Sequence, residues 1–315
     1  MPIPKLSTHG GIPVPEWNLS PDELQKARRA LAQNVDLSRP VQRVHQVQRA
    51  SINLSSAVVL PRIELRDILT RPIRLDELLE VTSGQRKNQK DLSPAEWSNF
   101  ISAFQTLATP GAATPSYQDF VDVHVRAMNM DDPEGQSWGV HTMENSDGRN
   151  FLAWHREYLS TLETQLQLHN PLVTIPYWNW IEDRAIPPAL SNPEDLAAWG
   201  VTRGPNFNPD DLPNMQDVQT VQNMSTFPAF QKTLERIHGW VHNAVGGTMA
   251  TSASPADPLF WLHHAFIDKL WEDRKASGDP QLDPPNGTET LLPPPIFTDT
   301  VSQVLTTTFL QYRYV

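Results

Sequence analysis

The chain of 315 residues contains no cysteine, which excludes disulfide bonds, thiolate metal ligands and a cysteine nucleophile. Any metal site must therefore use histidine, carboxylate or methionine side chains. There is no run of about 18 apolar residues, so no transmembrane helix is predicted. Basic residues are also few, because 25 Lys and Arg face 36 Asp and Glu and leave a net charge of −11. This balance argues against nucleic acid and against anionic membranes as partners.

The first residues lack the charged segment and the apolar stretch of a secretory signal. We therefore expect a cytoplasmic protein, although export together with a partner protein is compatible with the sequence. Glycine is scarce, with 14 residues against 29 prolines. That composition favours long ordered connections between helices over flexible linkers.

The chain is predicted to have two unequal parts. Residues 1–81 are irregular and rich in proline, with one helix expected after Ser20 and short apolar runs at 57–60 and 63–69 that suit strands or single turns. We interpret this part as an N-terminal extension, of unknown role, packed on the core. Residues 82–315 form the second part.

Residues 82–315 carry longer helical patterns, so we expect a mainly α domain with long irregular connections and few short strands. A capping box at Ser93 opens the first of these patterns. A polar connection rich in proline and asparagine is expected at 183–227. The longer predicted helices after Ser93 cover residues 116–130, 151–169, 228–245 and 256–274.

Histidines are concentrated on these helices. His238 and His242 are four residues apart, so both rings leave one helical face and can bind one metal ion. Three imidazoles leave a metal ion with open positions, and all-nitrogen ligation suits copper or zinc. Six of the ten histidines divide into two triplets, one from each half of the core: His124, His141 and His155, then His238, His242 and His264.

A zinc protease would place a glutamate general base directly after the first histidine of such a pair. Here Gly239 occupies that position, so we reject the protease interpretation. Isolated histidines are more often packing or surface residues than ligands. We assign no metal to His9, His45 or His169.

Two long segments resemble the copper motifs of the tyrosinase family. Residues 151–159, with Glu163 one turn further on, resemble the first motif, and residues 257–268 resemble the second. Further similarities lie at 176–180, at 245–249, in Arg86-Lys87-Asn88 and in the terminal Tyr312-Arg313-Tyr314. The resemblance covers about 82–315, which would be a tyrosinase-like dicopper catalytic domain. Residues 1–81 match nothing that we can place.

The resemblance implies an antiparallel four-helix bundle that holds two copper ions, three histidines each, with dioxygen bound between them. In the family pattern the second histidine of the His263-His264 pair is the ligand, so His263 is expected to have a packing role. Arg156 and Asp268 are candidates for a buried ion pair between helices. The implied ligands are His124, His141 and His155 for the first copper, and His238, His242 and His264 for the second.

Three departures from the family pattern affect the first site and its surroundings. The middle ligand usually lies a few residues before Phe151, but the nearest histidine is His141, which an insertion of about five residues would accommodate. Many relatives crosslink a cysteine to this middle histidine, and the crosslink is impossible here. Asn179 stands where the family usually has Asp, with a modest structural effect expected.

The resemblance also places residues of the predicted helix 228–245 at the substrate. In relatives that hydroxylate monophenols well, an Asn after the first ligand of the second site and a nearby Glu hold a water that removes the phenol proton. Glu235 is expected to be that catalytic Glu, but Gly239 has no side chain to hold the water. A phenol with a pKa of about 10 needs a base before it can bind copper. We expect Gly239 and Asn243 to line the substrate site, together with the small-residue loop at 250–254.

The predicted function is therefore a copper-dependent polyphenol oxidase. It would oxidise catechols, and more weakly hydroxylate monophenols, to o-quinones with dioxygen. The alternatives are an o-aminophenol oxidase, a haemocyanin-like protein that binds dioxygen without turnover, and a bundle that has lost copper. A substrate panel, catechol turnover and metal analysis would distinguish them.

Overall fold

The computed structural model describes residues 6–9, 12–15, 84–109, 111, 115–276, 283–291, 296–297, 299–307 and 310–315. The chain divides into two compact units, Met1–Thr82 and Ser83–Val315. In the first unit the described residues form an antiparallel hairpin of β1 (Leu6–His9) and β2 (Ile12–Pro15). The helix predicted after Ser20, the apolar runs at 57–60 and 63–69, and His45 lie outside the described residues. The extension proposed for residues 1–81 stays a prediction.

The second unit is mainly helical, which confirms the predicted fold class. Its strands are short: β3 (Gly84–Arg86), β4 (Thr142–Met143), β5 (Ser146–Asp147) and β6 (Tyr312–Tyr314). Its α-helices are α1 (Pro94–Ala108), α2 (Tyr117–Ala127), α3 (Pro133–Ser137), α4 (Phe151–His169), α5 (Pro193–Ala198), α6 (Met215–Gln222), α7 (Phe227–Val245) and α8 (Pro258–Lys275). No helix among the described residues is long and apolar enough to cross a membrane.

The helix starts follow local chemistry. Ser93 and Glu96 form a reciprocal capping box at the start of α1, as predicted. Asp257 caps α8 by accepting a hydrogen bond from the backbone N–H of Leu259, and Pro258 occupies the first helical position. These caps satisfy backbone donors that would otherwise be unpaired inside the protein.

Four helices, α2, α4, α7 and α8, surround the histidines. Helix α4 packs against α8, and α7 packs against both. The phenol of Tyr158 on α4 donates a hydrogen bond of 2.5 Å to the carbonyl of Phe120 on α2, which ties α2 to the same core. Five tryptophans are almost fully buried in this unit: Trp154, Trp178, Trp180, Trp261 and Trp271. The core is therefore dry and densely aromatic around the histidines.

Asp268 lies at the centre of a buried ion cluster between α4, α8 and the last strand. It accepts hydrogen bonds from Arg156 Nε at 2.5 Å and from the Tyr312 and Tyr314 hydroxyls at 2.5 and 2.6 Å. A guanidinium nitrogen of Arg86 lies 3.7 Å away. The parallel pairing of β3 with β6 brings Arg86 and the two tyrosines to this point. The predicted ion pair of Arg156 with Asp268 is confirmed.

Candidate metal centre

Two groups of histidines converge inside the second unit. In the first group, His124 comes from α2, His155 from α4, and His141 from the loop between α3 and β4. Each contributes one ring nitrogen, and these three nitrogens lie within 4.8 Å of one another. The second group meets the same criterion and holds His238, His242, His263 and His264 from α7 and α8. Among the described side chains, that of His169 belongs to neither group.

Backbone carbonyls orient four of the rings. The Nδ1 atoms of His124 and His155 lie 2.7 and 2.8 Å from the carbonyl oxygens of Ser252 and Phe151. A carbonyl oxygen can only accept, so each Nδ1 must carry the hydrogen and each Nε2 of the neutral ring keeps its lone pair. In the same way, Nδ1 of His242 lies 2.7 Å from the carbonyl oxygen of Met249, and Nδ1 of His238 lies 3.1 Å from the carbonyl oxygen of Glu235.

The free nitrogens face one another at distances that suit metal ligation. His264 Nε2 lies 3.1 Å from His238 Nε2 and 3.4 Å from His242 Nε2. In the first group, the Nε2 atoms of His124 and His141 are 3.4 Å apart. Two nitrogens that bind one ion at about 2.0–2.1 Å lie roughly 2.9–3.4 Å apart. Nε2 lone pairs at these separations can bind one ion together, so the donor set fits a metal in each group.

Burial lowers the pKa of five of these rings: His124, His155, His238, His242 and His264. Desolvation, followed by the charge of neighbouring histidines, holds the pKa of His155, His238 and His264 well below the usual value. His124 follows the same pattern. Burial also lowers the pKa of His242 to about 4. At neutral pH these five rings are therefore uncharged, and the nitrogen of each ring that carries no hydrogen is available to a metal ion.

His263 differs from the other members of its group. Its Nδ1 accepts a hydrogen bond of 3.2 Å from the indole N–H of Trp180, so the lone pair on Nδ1 is already used. A neutral ring in this state carries its hydrogen on Nε2. By contrast, His264 directs Nε2 at His238 and His242, and this geometry favours it as the third ligand. The choice between the two histidines stays a prediction.

We expect His263→Gln to retain two copper ions per chain and His264→Gln to lose one. Glutamine preserves bulk and polarity, so the comparison isolates the imidazole nitrogen that reaches the metal. Copper per chain, measured after dialysis against a weak chelator, decides between them. The opposite pattern, with copper lost in His263→Gln and kept in His264→Gln, would contradict the assignment.

Glu235 holds the loop that carries His141. Its carboxylate accepts hydrogen bonds from the backbone N–H and the hydroxyl of Thr142, both at 2.7 Å. One of its oxygens lies 3.4 Å from Nδ1 of His141. Its backbone carbonyl contacts His238 of the other group. The side chain of Glu235 therefore supports the first site while its backbone orients a ring of the second.

The structure places the other predicted substrate residues at the outer edge of α7. An added Cβ at Gly239 would meet no atom within 4 Å, so the space at Gly239 is open. Asn243 is exposed, and the loop at 250–254 supplies the carbonyl of Ser252 that orients His124. Whether Glu235, Gly239 and Asn243 act on substrate stays a prediction.

Two contributors to the site were missed in the sequence. Thr142 holds the Glu235 carboxylate, and Trp180 fixes the tautomer of His263. Thr142 directly follows His141, but no pattern in the sequence pairs it with a residue 93 positions away. Trp180 lies in a recognised segment at 176–180, and that segment gave no sign of its partner.

The two histidine groups also abut each other. The rings of His155 and His264 stack with centroids 4.2 Å apart, and those of His141 and His238 lie 6.1 Å apart. Two adjacent sites, built from imidazoles alone in a dry helical core, define the class of type-3 dicopper proteins.

Comparison with known proteins agrees with this class. The family model "Common central domain of tyrosinase" matches residues 114–206 and 191–276. A tyrosinase of Streptomyces glaucescens is 32% identical over 232 residues, which cover 60% of this chain and 81% of the relative. A tyrosinase of Streptomyces antibioticus is 32% identical over 249 residues, covering 64% and 87%. The chain belongs to the tyrosinase family, and its cofactor is a pair of copper ions.

Solved structures share the fold. A functional unit from octopus hemocyanin aligns with a TM-score of 0.62 at 21% identity and covers 74% of this chain and 68% of that one. Polyphenol oxidase from Grenache grapes (Vitis vinifera) aligns with a TM-score of 0.57 at 22% identity, covering 75% and 86%.

Proposed function

We propose that the protein is a copper-dependent polyphenol oxidase that oxidises catechols to o-quinones with dioxygen, and hydroxylates monophenols more weakly. The convergence of neutral Nε2 atoms in two adjacent histidine groups carries this proposal. The overall reaction of a catechol consumes half a molecule of dioxygen and releases the o-quinone and one water. Bound copper would supply the two-electron chemistry with dioxygen.

The chain's own residues orient the ligands and exclude water. Phe260 packs against the ring of His264, with centroids 4.1 Å apart, and Phe151 lies 4.9 Å from the rings of both His155 and His238. These aromatic walls leave entry mainly on the side of His242, the ligand that is only partly buried. Gly239 directly follows His238 in α7, and the open space at Gly239 would leave room for part of a substrate.

Glu235 lines the same open cleft as Gly239. Both of its oxygens accept hydrogen bonds from Thr142, but a carboxylate oxygen can accept more than one. A water that bridges Glu235 and a phenol hydroxyl could take its proton. With Gly239 alongside, such a water has one protein anchor, which is why monophenol hydroxylation is proposed to be the weaker activity.

Oxygen uptake with catechol tests the proposal. The copper-loaded protein should consume dioxygen with catechol and release a coloured o-quinone, and it should not do so with resorcinol, whose meta hydroxyls cannot form one. Chelator-treated protein is the matched control. Dioxygen binding without turnover of catechol would instead indicate a haemocyanin-like oxygen-binding protein, and the fold shared with the octopus hemocyanin unit is compatible with that outcome.

We expect Gly239→Asn to raise the ratio of monophenol to catechol turnover about two- to tenfold. The new amide has open space and can hold the water with one hydrogen bond, which contributes about 0.5–1.5 kcal/mol. Glu235→Ala should lower monophenol turnover more than catechol turnover. Steady-state rates on a matched phenol and catechol measure both ratios.

Copper content is the control for these variants, because Glu235 also supports His141. If Glu235→Ala loses one copper and both activities fall together, the carboxylate acts through the metal site. If both variants keep copper and their ratios match the unsubstituted protein, substrate choice is set elsewhere, by Asn243 and the loop at 250–254.

A further inference from the structure

A stripe of α7 flanks the metal centre on its exposed side. Lys232, Arg236, Gly239 and Asn243 follow one another at spacings of four, three and four residues, so they share one face of the helix. This face adjoins the one that carries His238 and His242. Lys232, Arg236 and Gly239 also line an open cleft of about 490 Å³, together with Thr142, Thr233 and Glu235.

Within the described part of the chain, no carboxylate pairs with either cation of the stripe. Lys232 and Arg236 are exposed, and neither forms an ion pair with any residue that the structure describes. The guanidinium of Arg236 lies 5.9 Å from the centroid of the Trp240 ring, a contact that leaves its N–H groups available. Glu235 also lines the cleft and offsets part of this charge, but its carboxylate is hydrogen-bonded to Thr142 and its side chain is only 12% exposed, so two cations face one carboxylate. In a chain with a net charge of −11, this cleft is a local positive edge beside the metal centre.

The positions of Lys232 and Arg236 along α7 limit the length of the substrate side chain that could carry the anion. At about 1.5 Å per residue, Arg236 and Lys232 lie roughly 3 and 9 Å before His238 along the helix axis. An aromatic ring beside His238 would therefore place a side chain of two or three carbons within reach of the guanidinium and ammonium groups. Guanidinium groups bind carboxylates through two parallel hydrogen bonds, which suits a carboxylate at the end of that side chain.

We propose that the enzyme prefers phenols and catechols whose ring carries a short side chain ending in a carboxylate, and that Arg236 and Lys232 bind this carboxylate. The proposal rests on the proposed function of the same site. The two cations act as specificity residues: they contribute to substrate binding and leave the chemical step unchanged.

The test compares a catechol that bears a propionate side chain with its methyl ester. In the double variant Lys232→Gln/Arg236→Gln, KM for the acid should rise about three- to tenfold, the effect of losing two exposed charge interactions. KM for the ester and kcat for both substrates should stay within about twofold. Added salt should raise KM for the acid alone. Lys90→Gln, which removes a similar charge at an exposed position outside the cleft, should change neither value.

Equal changes for acid and ester, or no change for either, would overturn the proposal. Binding of phenylpropionate and its methyl ester, which carry no hydroxyl to oxidise, gives a second measurement by calorimetry. Tighter binding of the acid, lost in the double variant, supports the carboxylate site even if catechol is not turned over and the proposed function fails. Equal binding of the two compounds contradicts the carboxylate site even in an active oxidase.

Discussion

His242→Ala is expected to leave one copper ion per chain and to reduce catechol oxidation to less than about 1% of the unsubstituted enzyme. The Nε2 of His242 faces that of His264 at 3.4 Å, while its Nδ1 is held by the carbonyl of Met249. Mutation of residues that only orient a metal ligand typically lowers metal affinity or activity by about 10–100-fold. Removal of a ligand itself should lower them by more. Oxidation of a catechol to the o-quinone removes two electrons, and one copper ion would accept only one of them, so both ions would be needed.

Copper per chain and oxygen uptake are the two readouts for this variant. His169→Ala is the matched control, because His169 is an exposed histidine at the end of α4 and belongs to neither histidine group. It should keep both ions and full activity. His141→Ala should instead lose the ion of the first site. Two ions in His242→Ala would contradict the assignment of the second site.

Asp268→Ala is expected to destabilise the protein by about 3–5 kcal/mol, the usual effect of removing one partner of a buried ion cluster. The carboxylate is 3% exposed and accepts hydrogen bonds from Arg156, Tyr312 and Tyr314. Its loss would leave two guanidinium groups in the core with fewer partners. For a unit of this size the melting temperature should fall by on the order of 10 °C.

The same cluster predicts a dependence of stability on pH. Burial alone would raise the pKa of Asp268, but Arg156, Arg86 and the two tyrosine hydroxyls hold it below its usual value. A carboxyl with a lowered folded-state pKa stabilises the protein above its unfolded pKa, and this contribution is lost as the pH falls through the folded pKa. Asp268→Ala should therefore flatten the decline of stability in acid.

Thermal unfolding of the apo protein isolates this effect from metal binding. Asp273→Asn on the same helix is the matched control, since the side chain of Asp273 is 53% exposed and pairs with Lys269 one turn away. It should change stability by no more than about 0.5 kcal/mol. If the Asp268→Ala protein has the same melting temperature as the unsubstituted protein, the cluster does not stabilise the fold.

The long helices of the core could be predicted from the sequence because their helical patterns are continuous over many residues. Helix α4 was predicted at 151–169 and spans Phe151–His169, and α7 was predicted at 228–245 and spans Phe227–Val245. The connection at 183–227 was expected as one excursion, but it contains α5 and α6. Each is only one or two turns long, too short for a periodic pattern to stand out.

The histidines of the centre could also be predicted, since helical spacing places His238 and His242 on one face. The contacts that hold His141 in place could not be predicted from the sequence. Its loop is fixed by contacts of Thr142 and His141 with Glu235, a residue from a distant helix. Such contacts depend on how the elements pack, and spacing along the chain does not encode them. In a chain without cysteine, the Glu235 carboxylate is a contact that supports His141, the predicted middle ligand.

The central claim is that this chain holds two copper ions in adjacent histidine sites and uses them to oxidise catechols. The most direct measurement is copper per chain by atomic absorption, combined with oxygen uptake on catechol by the same preparation. The account predicts two copper ions per chain and catechol-dependent oxygen uptake that disappears when copper is removed. One copper ion or none after loading, or two ions with no uptake, would contradict it.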